Sequence, residues 1–381
     1  WISFPFDVKI GDITGFGEVG KHWMIKYYDG AERAAKGWFL DTKTFWKFFL
    51  DTEDVMKANT GYVLTLNKSL LNASNPVYDN TNTLKLYFPS KEKIKGEINS
   101  NLTETSVTLE PLECKITSPA DRTIKDSHWN LIGVPSYAHK NNNNEDVKFF
   151  YDYDFHEDKY SAEMNAGPNT FYAMHAYMVQ YHGTINWSTF TTEPAQLAAK
   201  KNADAEEQYT LRLELQQNGT KADQTFVELH DDATTMFDMN VDLTKMFNAS
   251  STNIYTLIGS DNQVAANVMP IANTTIPVGI QIAKAGEYTF AMPDGTDGIT
   301  VELIDYETNT TTNLLLSEYN VSLPAGTFEN RFALIVKPNK VATDMETIDD
   351  ETNGVKKYII DGKLFLQKDG MLYDAQGHIV R

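Results

Sequence analysis

The chain has 381 residues, 41% of them hydrophobic and 12% aromatic, which is enough apolar material for more than one packed core. Its 33 Lys and Arg stand against 52 Asp and Glu, a formal net charge of −19 at pH 7, and so acidic a surface repels phosphate backbones, which excludes nucleic acid as a partner class. No apolar run of about 18 residues or more occurs, so no helix is expected to span a membrane, and the single cysteine, Cys114 in "LECKIT", leaves no intramolecular disulfide and reads as a small buried hydrophobe.

In chain order, "WISFPFDVKI" opens as a strand with no export signal before it, so the chain is expected to be a piece of a longer one. Two segments of the first half echo each other loosely. "WISFPFDV" leads through "MIKYYDG" and "FWKFF" to "NTGYVLTL", and "WNLIGVPSY" leads through "FFYDYDF" to "NTFYAMHAYMVQ". The Trp-to-Pro spacing differs, Trp1 to Pro5 against Trp129 to Pro135, which excludes an exact tandem repeat and leaves two similar strand entries or chance similarity. Period-two alternation predicts strands with Tyr62, Leu64 and Leu66 on one face, and with Leu84, Leu86 and Phe88 on one face. "DTKTFWKFFLDTEDVMKA" is expected to be a helix, capped by Thr42 or Thr44, with Phe45, Trp46 and Phe49 on its core side.

The Ala-rich, charged stretch at 193–207 reads as a connector. Beyond it alternation returns, with Leu211, Leu213 and Leu215 on one face and Arg212 and Glu214 on the other, followed by strand-like "FVEL", "IYTLIG", "EYTFAM", "VELIDY" and "NRFALIVK" between turn residues. Pro277 belongs at an edge or strand start, since it has no N–H to give a ladder. An acidic tether follows at 339–356, and "KKYIIDGKLFLQKDGMLYDAQGHIVR" closes the chain as three short strands of a meander. The expected fold is all-β: an antiparallel β-sandwich over 1–192, of jelly-roll or immunoglobulin-like type, a linker over 193–207, a second sandwich over 208–338, the tether, and a C-terminal hairpin-like tail over 357–381.

Local enzyme signatures are missing, with no HExxH, no GxSxG, no GxxxxGK[ST] and no GxGxxG opening a helix, so a non-catalytic role is expected. Paired carboxylates of a glycan-active enzyme would leave no local motif and stay as an alternative. The richest polar cluster is "YDYDFHED", in which Asp152, Asp154 and His156 share a strand face and Glu157 and Asp158 follow. The plain reading is a solvated strand and turn whose Tyr151, Tyr153 and Phe155 face a core, and no cofactor is required. Calcium at Asp152, Asp154 and Asp158 is the alternative, because dense oxygen ligands suit it. Asp231, Asp232, Asp238 and Asp242 form a second acidic group, with Asp242 placed to cap a short helix "LTKMF". His175 and His182 lie seven apart, on opposite faces of a strand, which argues against a shared metal. Trp38 and Trp187 are candidates for stacking on a sugar face, against the plainer reading of core packing. The Asn-x-Ser/Thr matches at Asn101 and Asn248 are what an Asn- and Thr-rich chain produces by chance.

"ISFPFDV", "GYVL", "WNLIGVP", the series "IPVGI … AGEYTF … VELIDYETNTTTNL … GTFENRFALIV" and the closing "LYDAQGHIV" together resemble the C-terminal region of large cell-surface or secreted proteins of Bacteroidota. That resemblance implies β-sandwich modules, export to the bacterial cell surface or medium, and a tail similar to secretion-sorting units, matched at Tyr373, Asp374, Gly377 and Val380. The partners it implies are upstream domains of the same polypeptide, the sorting machinery, and host glycan or matrix protein. It supplies no catalytic residues.

Overall fold

Tyr209, Leu211, Leu213 and Leu215 are buried in turn along the strand Gln208–Gln217, as a pleated backbone with one face on a core requires. A computed structural model of the protein describes residues 1–36, 45–67, 86–89, 104–109, 127–134, 141–143, 146–154, 157–165, 170–172, 174–190, 208–260, 262–338, 355–360, 363–368, 371–374 and 379–380. The chain is all-β: among the described residues the one α-helix is Gly30–Lys36, opened by Asp29, whose Oδ1 accepts the Glu32 N–H at 2.9 Å. Cys114, Asn101, Leu84, the 193–207 connector and residues 339–354 of the tether lie outside the described residues.

Residues 208–338 build one large sheet. Across it run Thr310–Asn313, Ile299–Asp305, Gly326–Pro338, Thr274–Ile282, Asn253–Ile258, Asn262–Met269, Thr220–His230, Gln208–Gln217, Gly286–Ala291 and Tyr319–Leu323, with Leu243–Thr244 paired to Asn262–Met269 from the side. Thr220–His230 and Asn262–Met269 run parallel and every other pair is antiparallel. The sheet curls until nearly closed. The edge strand Tyr319–Leu323 reaches the other end of the sheet where the Tyr319 hydroxyl donates at 2.8 Å to Oδ2 of Asp305, on the strand next to the far edge, and Arg331 of the following strand grips the same carboxylate with a two-pronged fork at 2.8 and 3.0 Å. The enclosed core holds Leu211, Leu213, Val227, Ile254, Val278, Tyr288, Phe290, Val301, Phe332 and Leu334 among others.

The outer face of this sheet is also covered. Phe226, Leu243, Ala265, Ala266 and Val268 pack against Trp129, Leu131, Phe149, Tyr151 and Met178 of the first half. The strand Thr220–His230 is therefore buried on both faces, and so is Asn253–Ile258, whose Tyr255 packs on Phe247 and over Gly279; both read as continuous apolar and small-polar runs instead of alternating ones. The facing layer is a four-stranded antiparallel sheet in the order Lys159–Met164, Phe149–Asp154, Ala176–Gln180, Trp129–Gly133. Its far side forms a further core from Ile132, Phe150, Phe171, Tyr177, Ile185 and Trp187. A third sheet, Trp46–Phe49, Trp23–Tyr28, Tyr62–Leu66, closes on Phe4, Phe6, Val8 and Ile25, with Leu64, Leu66, Leu86 and Phe88 packed against them. The two echoing segments flank one stretch: Ile2 pairs with Tyr62, and Thr60 pairs with Ile132.

Four expectations need correction. The helix expected over 41–58 is not formed over its described residues, 45–58: Trp46–Phe49 is a strand paired with Trp23–Tyr28, and Val55–Met56 is another paired with Val8–Lys9. Aromatic side chains favour the half-buried pleat once a partner strand is present, while Thr42 and Thr44 lie outside the described residues. The helix after Asp242 is likewise a strand, Leu243–Thr244, because Asp242 spends its oxygens on the N–H groups of Asp238 and Val268, both at 2.7 Å. Pro277 sits in an interior strand, yet pairing with Asn253–Ile258 stops at Thr256 and Val278, so the proline lies one residue past that ladder while opposing Ala333 on the other side. The C-terminal meander has four strands, Val355–Ile360, Lys363–Lys368, Met371–Asp374 and Ile379–Val380, where three were expected.

Candidate functional site

The hairpin of Phe149–Asp154 and Lys159–Met164 carries the polar cluster singled out in the sequence. Successive residues point to opposite faces, so Tyr151 enters the core between the two large layers while Phe150 enters the core behind the smaller sheet. Asp152 shares the Phe150 side, and its Oδ1 meets His175 Nε2 at 2.8 Å and accepts the Tyr153 N–H at 2.7 Å. His175 is held in turn. Its carbonyl accepts the Ser3 hydroxyl at 2.7 Å, its ring lies 4.8 Å from that of Tyr177, and the preceding Met174 has a left-handed φ of 61°.

The other carboxylates point elsewhere. Asp158 accepts the Tyr153 hydroxyl, and Asp154 Oδ1 accepts the Glu157 N–H at 3.2 Å. Asp152, Asp154 and Asp158 thus serve three different protein partners, and among the described residues no three His, Cys, Asp or Glu side chains converge as a metal site. Phe155 and His156 lie outside the described residues.

Trp1 completes the surface. Its indole stacks on Tyr153 with centroids 5.6 Å apart and planes 16° apart, and leans on Tyr160 at 5.8 Å, while Tyr153 and Tyr160 are 5.4 Å from each other. All three residues are half-buried, and Trp1 and Tyr160 pack against the core between the two layers. Burial, reinforced by the hydrogen bond to Asp158, pushes the Tyr153 phenol well above its usual range, so it stays a neutral donor. The hairpin is clamped from the large sheet: Asn248 Oδ1 accepts the Tyr160 N–H at 2.7 Å, and Asn248 Nδ2 donates to the Tyr160 carbonyl at 2.9 Å. Asn248 is itself buried by this work, which is a structural use of a residue that only chance had placed in an Asn-x-Ser pattern. The hairpin is therefore aromatic on the Tyr153 face, with Asp158 at its turn, and carries the Asp152–His175 pair on the other face.

Trp187 is 2% exposed, with its ring edge-on to Phe171 at 5.2 Å, so it has no face free for a ligand. Trp38 lies outside the described residues, as does Gly377, while Tyr373, Asp374 and Val380 sit in the C-terminal meander. His182 is 4.6 Å from His128 by ring centroids and is not joined to His175. The run Gly15–Gly20 spells G-x-G-x-x-G, but it turns into the strand Trp23–Tyr28, not into a helix. A Cβ on Gly17 would lie 2.6 Å from His22, so this is a tight structural turn without a helix N-terminus to receive a phosphate. Sequence reasoning found the Asp152 cluster, weighed His175 only against His182, and missed Trp1, Tyr160 and the pairing of His175 with Asp152. No local signal joins Trp1 to Tyr153, because only the sheet packing brings them together.

No curated protein and no solved structure gives a significant match to this chain. Residues 179–336, from the strand Ala176–Gln180 to the strand Gly326–Pro338, match the family described as a domain of unknown function, DUF8693.

Proposed function

We propose that this chain is a non-catalytic contact and display module of a bacterial cell-surface or secreted protein, and that it engages glycan through the Trp1, Tyr153 and Tyr160 surface. The observation that carries the reading is the stack of three half-buried aromatic residues beside the Asp158 carboxylate. Aromatic faces suit the apolar CH face of a sugar, and carboxylates accept its hydroxyl protons. The clamp from Asn248 supports it too, since a pre-ordered platform loses little freedom on binding. Upstream domains of the same polypeptide, host glycan or matrix protein, and sorting machinery acting on Tyr373, Asp374, Gly377 and Val380 are the partners this reading implies.

A glycan array probed with the purified chain, in calcium and again in chelator, tests the reading. A defined hit that Tyr153→Ala weakens about tenfold is expected, equivalent to about 1.4 kcal/mol. A hit indifferent to Tyr153→Ala, or silence in both conditions, would remove glycan contact from this surface. Loss of the hit in chelator alone would mean that calcium takes part in the binding. A second reading, glycan-active chemistry, draws on the Asp152–His175 hydrogen bond, which orients an imidazole on the opposite face of the hairpin from the aromatic stack. Release of a shortened product from the bound glycan would favour it.

A further inference from the structure

Lys245 and Asp223 meet inside the molecule with side chains only 1% and 3% exposed. Asp223 lies on the strand Thr220–His230, and Lys245 follows Leu243–Thr244. Both are fixed from several sides. The Lys245 N–H donates to the Gln263 carbonyl at 2.9 Å. The Tyr151 hydroxyl holds the backbone around Lys245, donating to the Thr244 carbonyl at 3.0 Å and accepting the Met246 N–H at 2.8 Å. Asp223 Oδ2 takes both Lys245 Nζ and, at 2.8 Å, the Ile254 N–H.

We propose that Lys245 and Asp223 condense to an intramolecular isopeptide bond that ties the strand Thr220–His230 to the segment after Leu243–Thr244. A buried ammonium–carboxylate pair is costly to desolvate, and condensation removes both charges: one proton passes from Nζ to the carboxylate it touches, leaving an amine nucleophile against a carboxylic acid. Fixing the two groups in contact removes most of the entropic barrier. Nζ needs only to swing from Oδ2 to the adjoining carboxyl carbon. The lone pair of Nζ attacks Cγ and the C–N bond forms. Oδ1 leaves with two protons from the amine and acid as water, and Oδ2 stays as the amide oxygen, with the Ile254 N–H placed to stabilise negative charge on it. Overall one ammonium and one carboxylate give one amide and one water, without redox change or added reagent. The bond closes a loop between residues 22 apart in sequence and would hold whatever the outer surface binds.

Mass spectrometry of the mature, denatured full chain reads the outcome without relying on any variant folding. The wild-type chain is expected to be lighter than its sequence by one water, with a branched proteolytic peptide joining Lys245 to Asp223. Asp223→Asn is expected to lose one ammonia instead, because the carboxamide nitrogen becomes the leaving group. Lys245→Met is expected to restore the full sequence mass. A wild-type chain at full mass overturns the proposal, and so does loss of water without the branched peptide, the signature of a succinimide at Asp223.

Discussion

Asp242 shows how one buried carboxyl makes stability depend on pH. Burial raises it to about 7, although the N–H groups of Asp238 and Val268 pull the other way. A folded-state acid with a raised pKa keeps a proton that the unfolded chain has already released, so stability is greatest below about pH 4 as far as this group is concerned and falls as pH rises toward 7. The full shift corresponds to about 4 kcal/mol. Thermal unfolding from pH 4 to 7.5 is expected to show this decline in the wild-type chain and a flatter profile in Asp242→Asn. That variant starts from a lower baseline, because its NH₂ faces one of the two backbone donors. Equal slopes would mean that Asp242 is ionised throughout. Asp305 behaves oppositely: burial alone would raise it, but Arg331, Tyr319 and the Glu307 N–H hold it below the ordinary carboxylate range, so its contribution is lost only as pH falls into the acid region.

Among the elements, Thr274–Ile282 pairs on both sides, with Asn253–Ile258 and Gly326–Pro338, and is closely packed at Gly279. Tyr255 lies directly across from Gly279, and its ring covers the glycine so closely that an added Cβ would fall 2.1 Å from Cε2. The Tyr255 hydroxyl then reaches Glu329 at 2.9 Å, so the ring cannot simply swing aside. Gly279→Ala is expected to destabilise the chain by about 1–3 kcal/mol in denaturant unfolding, as overpacked cores do. A neutral result would show that the ring has another place to go. The glycine was not legible as special from "IPVGI", since a glycine in a strand equally marks a bulge, a bend or a close approach. The strand itself was legible. So were most strands of 208–338, because alternation is a property of one local backbone, while the strand at Trp46–Phe49 read as a helix because its aromatic spacing fits both periods until a partner is known.

At the scale of the molecule, the packing of the large sheet against the first half is part of the fold. The Tyr151 hydroxyl bonds on either side of Lys245, Gln224 Nε2 donates to the Ala162 carbonyl at 2.6 Å, and Phe226 lies 5.5 Å from Phe149 by ring centroids. A chain cut to residues 208–338 would present Phe226, Leu243 and Val268 to water. It is expected to bind a hydrophobic dye and to self-associate at concentrations where the full chain does neither. A monomeric, dye-silent fragment would show that the outer face tolerates water.

Composition and alternation alone determined the all-β character, the acidic surface and the strands that have one wet face, because these depend on side-chain chemistry and on a two-residue repeat carried by each strand separately. The tertiary structure decided which strands are covered twice, how many strands the tail has, and which side chains meet: Trp1 with Tyr153, Asp152 with His175, Lys245 with Asp223. Those meetings follow from sheet register and layer packing between segments distant in sequence. A shift of one residue would turn every side chain of a strand to the opposite face, so no local pattern encodes which partners are met.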